Sequence, residues 1–176
     1  PVSQFDIPVL GFAAFSGTGK TTLLKQLLPL LRNAGIRVSM IKHAHHDFDI
    51  DKPGKDSYEL RKSGARQVLI ASERRHALIT EHEIPCEPQL KELVGQLDAD
   101  LCDLVLVEGF RHVPFDKIEL HRPSLGRPLL FPNDDSVIAV ASDAPIDTGT
   151  LPLLDINDIG AIGKFIIDVT GHGTGK

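Results

Sequence analysis

One stretch of this sequence constrains the fold more than any other, because it reads as a strand, a glycine-rich turn and a helix in succession. Residues 7–14 form a continuous apolar run, as expected for a strand that is covered on both faces. The turn that follows contains Gly17 and Gly19, and residues 21–33 have a helical pattern that the Asn-Ala-Gly segment at 33–35 would end. This order of elements is typical of a loop that wraps around phosphate groups.

The turn itself carries the chemistry of a phosphate loop. Such loops read Gly-x-x-x-x-Gly-Lys-Ser/Thr, and here Ala14 replaces the first glycine. Gly17 and Gly19 let backbone N–H groups converge on a β-phosphate, and the helix dipole adds positive potential. The Lys20 ammonium can bridge β- and γ-phosphates, and the Thr21 hydroxyl can bind Mg²⁺. The alternative is a glycine-rich turn that binds nothing, but the strand before it and the helix after it favour a nucleotide site. The predicted nucleotide contacts are Ser16, Gly17, Thr18, Gly19, Lys20, Thr21 and Thr22.

A phosphate loop also needs an acidic group nearby to hold Mg²⁺ or its water ligands. Residues 104–107 form an uninterrupted apolar strand that ends at Glu108, and Glu can serve through water although Asp is more usual. We therefore predict Lys20 and Glu108 as catalytic residues, and Thr21 and Glu108 as the metal site. The alternative is an ordinary solvated carboxylate at a strand end. Asp103 begins the same strand at the opposite end and is a poor candidate.

Apolar runs of strand length alternate with helical segments along most of the chain. This alternation predicts an α/β fold of the P-loop NTPase type, with a mostly parallel sheet flanked by helices. We expect one nucleotide-binding domain over residues 1–169 and a disordered tail over 170–176. The further strands are predicted at 37–43, 104–107, 117–120 and 137–141, and the further helices at 89–97 and 157–169, the last one capped by Asn157.

Two segments depart from this regular alternation. Residues 67–71 and 77–81 flank a polar turn and predict a hairpin, which would be a peripheral antiparallel β excursion. Just before it, Asp56 and Glu59 have the spacing of a capping box at the start of a short helix. Residues 111–132 contain four prolines and scattered charges, which fits a peripheral excursion better than a core unit.

The composition argues against several classes of partner. The formal charge of −5 gives no general attraction to nucleic acid or acidic lipid. No apolar run approaches the roughly 20 residues of a membrane-spanning helix, and the first residues lack the layout of a secretory signal. The two cysteines have no Cys-x-x-Cys spacing and suit a reducing compartment. We therefore expect a soluble cytoplasmic protein with no nucleic-acid or membrane partner.

The second strand leads into a loop rich in histidine and aspartate, at residues 43–51. In open α/β folds this edge of the sheet is where ligands bind. The loop could contact a nucleotide or a partner, could hold a transition metal through His43, His45 and His46, or could be a solvated polar loop. Its spacing matches no closed zinc site. The two lysines within 52–55 could reach an anionic second ligand, unless they simply form a solvated turn.

Five segments, in this order, make the sequence specific. They are AFSGTGKTT at 14–22, IKHAHHD at 41–47, DKPGKDSYELR at 51–61, LVEGFR at 106–111 and AVASD at 139–143. Together they resemble the molybdopterin-guanine dinucleotide biosynthesis protein B (MobB) family over about residues 9–158. The phosphate loop is generic, whereas the segment at 42–61 is distinctive. Ala14 is also similar to what that family shows.

The resemblance implies a GTP-binding protein with weak GTPase activity, with GTP and Mg²⁺ as cofactors. It would be an adapter that assists the guanylyltransferase joining GMP to molybdopterin, so transferase and molybdopterin would both be partners. It also implies a homodimer with associated sheets, and a strand at 117–120 near a sheet edge would suit such pairing. The site residues that carry over are those at 16–22, Glu108 and the loop at 45–57, where Asp51 is a predicted nucleotide contact.

Guanine selection needs a separate explanation, because the Asn-Lys-x-Asp motif of many GTPases is absent from this sequence. Ser142 and Asp143 follow the predicted strand at 137–141 and are the best-placed substitutes. A carboxylate there could accept hydrogen bonds from guanine N1–H and the exocyclic N2 amine. The alternative role for these two residues is a helix or turn cap.

Two other functions remain open. A small-molecule kinase uses the same loop but needs arginines on a lid, and the loop candidates are those at 74–75, Arg122 and Arg127. A metal-insertion GTPase would use the histidine loop. In the adapter hypothesis, which we favour, GTP binding changes the shape of the loop at 45–57 and thereby its fit to a partner.

Overall fold

The computed structural model describes residues 5–44 and 48–172, which fold as two compact units. The first unit comprises the chain up to His43 and from Gln89 onward, and the second comprises Ala44–Pro88. Within the described ranges, no helix is long and apolar enough to cross a bilayer. The predicted disordered tail lies largely outside the described residues.

The first unit is built on a six-stranded sheet in which every neighbouring pair is parallel. The strand order is β2–β5–β1–β6–β7–β8. This confirms the predicted mostly parallel sheet, and β8 is a short strand that the sequence pattern did not reveal. The strands are β1 (Val9–Ala14), β2 (Val38–Lys42), β5 (Leu104–Glu108), β6 (Lys117–His121), β7 (Val137–Ser142) and β8 (Leu153–Asp155).

Helices cover both faces of this sheet. The helices of this unit in the described residues are α1 (Lys20–Asn33), α3 (Leu90–Val94) and α4 (Ile159–Val169), whereas α2 (Asp56–Lys62) belongs to the second unit. Helix α1 buries the leucines at 23, 24, 27 and 31, a helical spacing, in one core cluster with Ile162 and Ile166 of α4. Helix α3 buries Leu90 and Val94 in a second cluster with strand β5. Buried strands with apolar residues on both faces are what such a two-sided core requires.

Three predicted helix boundaries were wrong. Helix α4 is capped by Asp158, not Asn157, because the Asp158 Oδ1 atom accepts a hydrogen bond from the Ala161 N–H at 2.9 Å. Helix α3 is shorter than the predicted 89–97. In the second unit the cap of α2 is Lys55, which makes no side-chain cap hydrogen bond, so the predicted capping box does not form. The Glu59 carboxylate instead accepts from the Gly54 N–H.

The prediction that residues 111–132 form a peripheral excursion was wrong for strand β6, and so was the prediction that the strand at 117–120 lies near a sheet edge. It lies between β1 and β7, and all five of its residues are buried. Its polar side chains have partners: the Lys117 ammonium donates to Asp134 Oδ2 at 2.9 Å and to Ser136 Oγ at 2.5 Å. Among the described strands, the edges of this sheet are β2 and β8.

The carboxylate of Glu119, on the same strand, holds the connection between β6 and β7. It accepts the N–H groups of Leu130 and Phe131 at 2.8 and 2.9 Å. Burial raises the pKa of Glu119, and these two N–H donors oppose that rise. A proline-rich connection is thereby fixed to the centre of the sheet.

The second unit contains α2 followed by an antiparallel hairpin, β3 (Gln67–Ala71) and β4 (His76–Thr80). This confirms the predicted hairpin and the small antiparallel excursion. Arg61 of α2 is buried, and its guanidinium contacts three carboxylates within 2.6–2.7 Å. These are Asp49, Asp51 and Glu81.

Candidate functional site

The glycine-rich turn connects β1 to α1 as the sequence predicted. Gly17 and Gly19 have φ angles of +85° and +95°, a left-handed conformation that favours glycine over any residue with a Cβ. The Thr18 side chain is buried, and its hydroxyl donates to the Phe15 carbonyl at 2.7 Å. Thr18 can therefore contact a nucleotide through its backbone only. The loop is a closed turn held by its own hydrogen bonds.

The first turn of α1 presents unpaired backbone donors. Its N-cap, Gly19, offers no side-chain acceptor, and the first turn contains no acidic residue. The N–H groups at this end and the helix dipole therefore favour an anion. Ser16, Gly17, Thr21 and Thr22 are exposed here and can be reached by a ligand.

The predicted pair of Lys20 and Glu108 lies together beside this turn. The Lys20 ammonium is 3.5 Å from Glu108 Oε1, and the Lys42 ammonium is 3.8 Å from Glu108 Oε2. The topology explains this arrangement, because β5 lies between β2 and β1 and Lys42 pairs in register with Glu108. Two ammonium groups facing one carboxylate leave a net positive charge beside the loop, where phosphate groups would bind.

The turn after Glu108 is tightly built. Gly109 has a φ of +99°, and a Cβ at this position would lie 2.6 Å from the His43 Cβ. Phe110 also has a positive φ, +55°, and its ring stacks on His43 with centroids 4.6 Å apart. A left-handed bulky residue costs free energy of order 1–3 kcal/mol and is retained only where its surroundings enforce it. The turn therefore fixes how the chain leaves the Glu108 carboxylate.

The oxygen donors at this edge fit a magnesium ion. Thr21 is exposed in the first turn of α1, and the Glu108 carboxylate is partly exposed next to Lys20. A hydroxyl and a carboxylate are the hard oxygen ligands that Mg²⁺ takes together with phosphate and water. Thr21 and Glu108 would hold the ion, which would supply neutralisation of phosphate charge.

The predicted base-site residues have different environments. Ser142 is buried, and its hydroxyl accepts the Ala144 N–H at 3.2 Å, which is a local turn cap. Asp143 is exposed, and its Oδ2 atom accepts from Arg122 Nη1 at 2.7 Å. The capping role considered for this pair therefore belongs to Ser142, and the carboxylate of Asp143 faces the guanidinium of Arg122.

Two further arginines lie beside the phosphate loop. The guanidinium carbons of Arg111 and Arg127 are 5.5 and 5.6 Å from the centre of the Phe15 ring. Cation–π contacts at such distances are weakly favourable for exposed groups. Arg111 follows β5 and Arg127 lies between β6 and β7, so both connections bring positive charge to the loop.

Asp51, predicted as a nucleotide contact, lies in the second unit. Its Oδ1 atom accepts from Arg61 Nη2 at 2.7 Å, and hydrogen bonds from Arg61 lower the pKa of Asp51. The carboxylate is therefore ionised and held by α2. Its contact with a nucleotide stays a prediction.

The histidine loop is only partly described. His45, His46 and Asp47 lie outside the described residues, and so does the predicted metal set that includes them. Over the ranges 5–44 and 48–172, no group of three His, Cys, Asp or Glu residues could hold a metal ion. The proposed response of the loop at 45–57 to GTP stays a prediction.

Comparison with known proteins identifies the family of this chain. Residues 9–143 match the sequence profile described as "Molybdopterin guanine dinucleotide synthesis protein B", MobB. The chain belongs to the MobB family. The match includes the phosphate loop, Glu108 and Asp143, so the residues assembled at this edge lie within the part of the chain that the MobB profile covers.

Curated relatives from two bacteria match nearly full length. The molybdopterin-guanine dinucleotide biosynthesis adapter protein of Escherichia coli (strain K12) is 53% identical over 163 residues, covering 92% of this chain and 93% of the relative. The protein of the same name from Haemophilus influenzae is 46% identical over 167 residues, covering 94% and 91%. These MobB relatives are similar to both units, since each aligns with more than nine-tenths of this chain.

Solved MobB structures share the fold. The crystal structure of a molybdopterin-guanine biosynthesis protein B (mobB) has 26% identity and a TM-score of 0.64, covering 92% of this chain and 99% of that one. A Bacillus subtilis MobB structure reaches a TM-score of 0.71 at 19% identity, covering 92% and 97%. The second similarity concerns the fold alone.

Four basic residues at this edge were not predicted as site residues: Lys42, Arg111, Arg122 and Arg127. Lys42 ends β2 and becomes a neighbour of Glu108 only through the strand order, which no local pattern encodes. Arg122 and Arg127 enter the sequence prediction only as loop candidates for a kinase lid, and the segment that contains them was predicted to be peripheral. The sequence did contain a signal for Lys42 and Arg122. Each is a charged residue at or directly after the end of a strand, which is the same signal that predicted Glu108.

Proposed function

We propose that this member of the MobB family is a GTP-binding adapter in molybdopterin-guanine dinucleotide biosynthesis, with weak GTPase activity. One observation carries the nucleotide part: α1 begins without a side-chain cap, directly after a turn with two left-handed glycines, and Lys20 stands beside it. Unpaired N–H donors, a helix dipole and an ammonium group together favour a phosphate chain. The curated relatives named as adapter proteins support the biosynthetic part.

In the proposed complex each residue has a distinct task. The N–H groups at 16–22 surround the β-phosphate, and Lys20 bridges the β- and γ-phosphates. Thr21 and Glu108 would hold Mg²⁺, Glu108 through a water ligand, and the ion would neutralise phosphate charge; Glu108 could also position the attacking water. Weak hydrolysis is the expectation from the family resemblance, with Lys20 and Glu108 as the proposed catalytic residues.

The adapter would act on the transfer of GMP to molybdopterin. We propose that it binds the guanylyltransferase that joins these two molecules, and that molybdopterin is a second ligand. We also propose a cytoplasmic homodimer, an expectation from the family resemblance. The pairing of a β6 edge no longer supports that dimer, because β6 is an interior strand.

A reconstituted transfer reaction tests the proposal. Purified guanylyltransferase, molybdopterin and GTP are mixed with the wild-type chain or with Lys20→Ala, and dinucleotide formation is measured. We expect the wild type to raise the yield and the variant to lose that effect. Single-turnover experiments with labelled GTP would separate the alternatives: phosphate released to water agrees with a GTPase, whereas phosphate transferred to molybdopterin would indicate a kinase. One transition metal per chain in elemental analysis would favour a metal-insertion role.

Asp143 is proposed to select guanine. Its carboxylate would accept from guanine N1–H and N2, and Asp143→Asn replaces one acceptor with a donor. The variant should lose GTP affinity by about ten- to a hundredfold and gain affinity for XTP, whose position 2 carries a carbonyl. Calorimetry with both nucleotides, together with a melting temperature, measures this. A lower melting temperature with an unchanged ratio of GTP to XTP affinity would remove Asp143 from the base site.

A further inference from the structure

Arg122 connects two parts of the proposed site that are far apart in sequence. It follows β6, and its Nε atom donates to the backbone carbonyl of Thr18 in the phosphate loop at 2.8 Å. Its Nη1 atom donates to Asp143 Oδ2 at 2.7 Å. The same planar group therefore contacts the phosphate loop and the proposed guanine acceptor.

The two groups that accept hydrogen bonds from Arg122 are themselves held in place by the fold. Thr18 is 2% exposed, and its hydroxyl bond to Phe15 closes the turn. Asp143 follows directly after Ser142, which pairs in register with His121, the residue before Arg122. The arginine side chain is itself only 29% exposed. A rigid guanidinium that donates in two directions differs from a flexible surface ion pair, whose net effect is small.

The bond to Thr18 also determines the direction of a phosphate-binding donor. The Thr18 carbonyl and the Gly19 N–H belong to one planar trans peptide unit and point in opposite directions. Holding the carbonyl toward Arg122 therefore turns the Gly19 N–H away from Arg122. Arg122 Nη2 lies close enough that a Cβ built on Gly19 would be 3.7 Å away. The guanidinium thus lies beside Gly19 as well as being hydrogen-bonded to the Thr18 carbonyl.

We propose that Arg122 is a positioning residue that couples guanine recognition to triphosphate binding. It orients the Asp143 carboxylate for the base and the Thr18–Gly19 peptide for the phosphates, so that a ligand at either end stabilises the arrangement needed at the other. The inference rests on the proposed GTP site. It adds a specificity-determining residue whose effect appears in the preference between nucleotides.

The test uses the full chain and three probes: GTP, XTP and inorganic tripolyphosphate, each with Mg²⁺. In Arg122→Ala we expect GTP affinity to fall by roughly tenfold or more, as for loss of a charged hydrogen-bond partner. The GTP-to-XTP preference should fall to the level of Asp143→Ala, whereas tripolyphosphate affinity should fall less than GTP affinity. Arg127→Ala is the control for charge: it removes a positive charge beside the same loop, while Arg122 keeps its bonds to Asp143 and the Thr18 carbonyl, so it should keep the wild-type GTP-to-XTP preference.

Two further variants test the coupling. Arg122→Ala combined with Asp143→Ala should lose no more GTP-to-XTP preference than Asp143→Ala alone, since the two residues act as one unit. Arg122→Lys keeps the charge but has a single nitrogen for two anchors, so it should restore only part of the preference. Melting temperatures show that each variant is folded.

The possible results are separable. A folded Arg122→Ala variant with the wild-type GTP-to-XTP preference would overturn the inference while leaving the proposed function intact. An equal loss of tripolyphosphate and GTP affinity would also overturn it, because the role would then be confined to the phosphates. A wild-type chain that binds neither GTP nor tripolyphosphate would instead contradict the proposed function itself.

Discussion

The two ends of strand β5 carry two very different sets of charges. At the amino end, Arg37 Nη2 lies 2.6 Å from Asp103 Oδ1, and Arg37 Nε and the Arg37 backbone N–H donate to Asp103 Oδ2 at 2.9 and 2.8 Å. At the carboxyl end, Glu108 faces two lysine ammonium groups at 3.5 and 3.8 Å. The first set is a complete bidentate pair, and the second consists of longer contacts with an excess of positive charge.

This difference separates a structural pair from a binding site. A bidentate arginine–carboxylate pair uses the directional capacity of both partners, so it has little left for a ligand. Ammonium groups beyond normal hydrogen-bond distance keep their donors available. Only the carboxyl end is also next to the uncapped start of α1, which explains why Asp103 is a poor site candidate and Glu108 a good one.

The largest effect is expected for Lys20→Ala. Its ammonium offsets charge on two phosphates, so its loss should weaken GTP binding by at least about 1.5–3 kcal/mol, or ten- to a hundredfold. Isothermal titration calorimetry measures this, with Arg37→Ala as the control at the opposite end of the sheet. Unchanged GTP affinity in a folded Lys20→Ala variant would refute the phosphate-site assignment.

A smaller, ion-dependent effect is expected for Glu108→Gln. The amide keeps the size of the side chain but loses the charge that holds Mg²⁺ or its water ligands. The increase in GTP affinity caused by Mg²⁺ should fall by roughly tenfold, while affinity measured in chelator should stay the same or rise, since two lysines lose their counter-charge. Asp103→Asn should leave the Mg²⁺ effect unchanged. Equal behaviour of the two variants would remove Glu108 from the metal site.

Lys42→Ala should change binding by less. Its side chain is 65% exposed and solvent screens its charge, so we expect a loss of under about 1 kcal/mol, or a few-fold in GTP affinity. The loss should shrink as salt is raised, because exposed charges are screened more strongly. A titration at low and high ionic strength measures both. A loss as large as that of Lys20→Ala would mean that Lys42 contacts the phosphates directly.

Arg37→Ala should leave GTP binding unchanged and alter the acid stability of the fold. Hydrogen bonds from Arg37 hold the pKa of Asp103 well below its usual range. A depressed carboxyl pKa stabilises the folded state above the unfolded value, near 4, and this stabilisation is lost as the pH falls below it. Melting temperatures between pH 7 and pH 3 should therefore decline less steeply in the variant. An identical decline would show that this pair does not contribute.

Local signals in the sequence predicted the elements that depend on nearby residues. The phosphate turn needs its glycines, lysine and threonine in one short segment, and the hairpin of β3 and β4 needs only two short runs and a turn. Strand β6 lies in the segment 111–132, which was predicted to be peripheral because it contains four prolines and scattered charges. Its burial depends on partners such as Asp134, which a local pattern cannot show.

The candidate site also contains some features that depend on nearby residues and others that depend on residues distant in sequence. The positions of Lys20, Thr21 and Glu108 could be predicted locally, because the first two belong to the phosphate-loop pattern between β1 and α1 and Glu108 ends an apolar strand. Their roles in binding and catalysis stay predictions. The neighbourhood of Lys42 and the two-way contact of Arg122 could not be predicted, since both require the strand order β2–β5–β1–β6–β7. That Ser142 caps a turn while Asp143 faces Arg122 also depends on the path of the backbone, which the residue types do not reveal.

The hydrogen bonds from the Leu130 and Phe131 N–H groups to the Glu119 carboxylate affect the conformational entropy of the chain. Without them, the connection from β6 to β7 would be one long loop between the contacts of Arg122 near its start and of Asp134 near its end. The two backbone contacts act as a non-covalent cross-link that divides it into two shorter loops, and a shorter loop samples fewer conformations. Arg122 lies in the first of these. Less conformational freedom is therefore lost when the Arg122 guanidinium is held against the phosphate loop. The cost of this arrangement is that the Glu119 carboxylate is buried in the middle of the sheet.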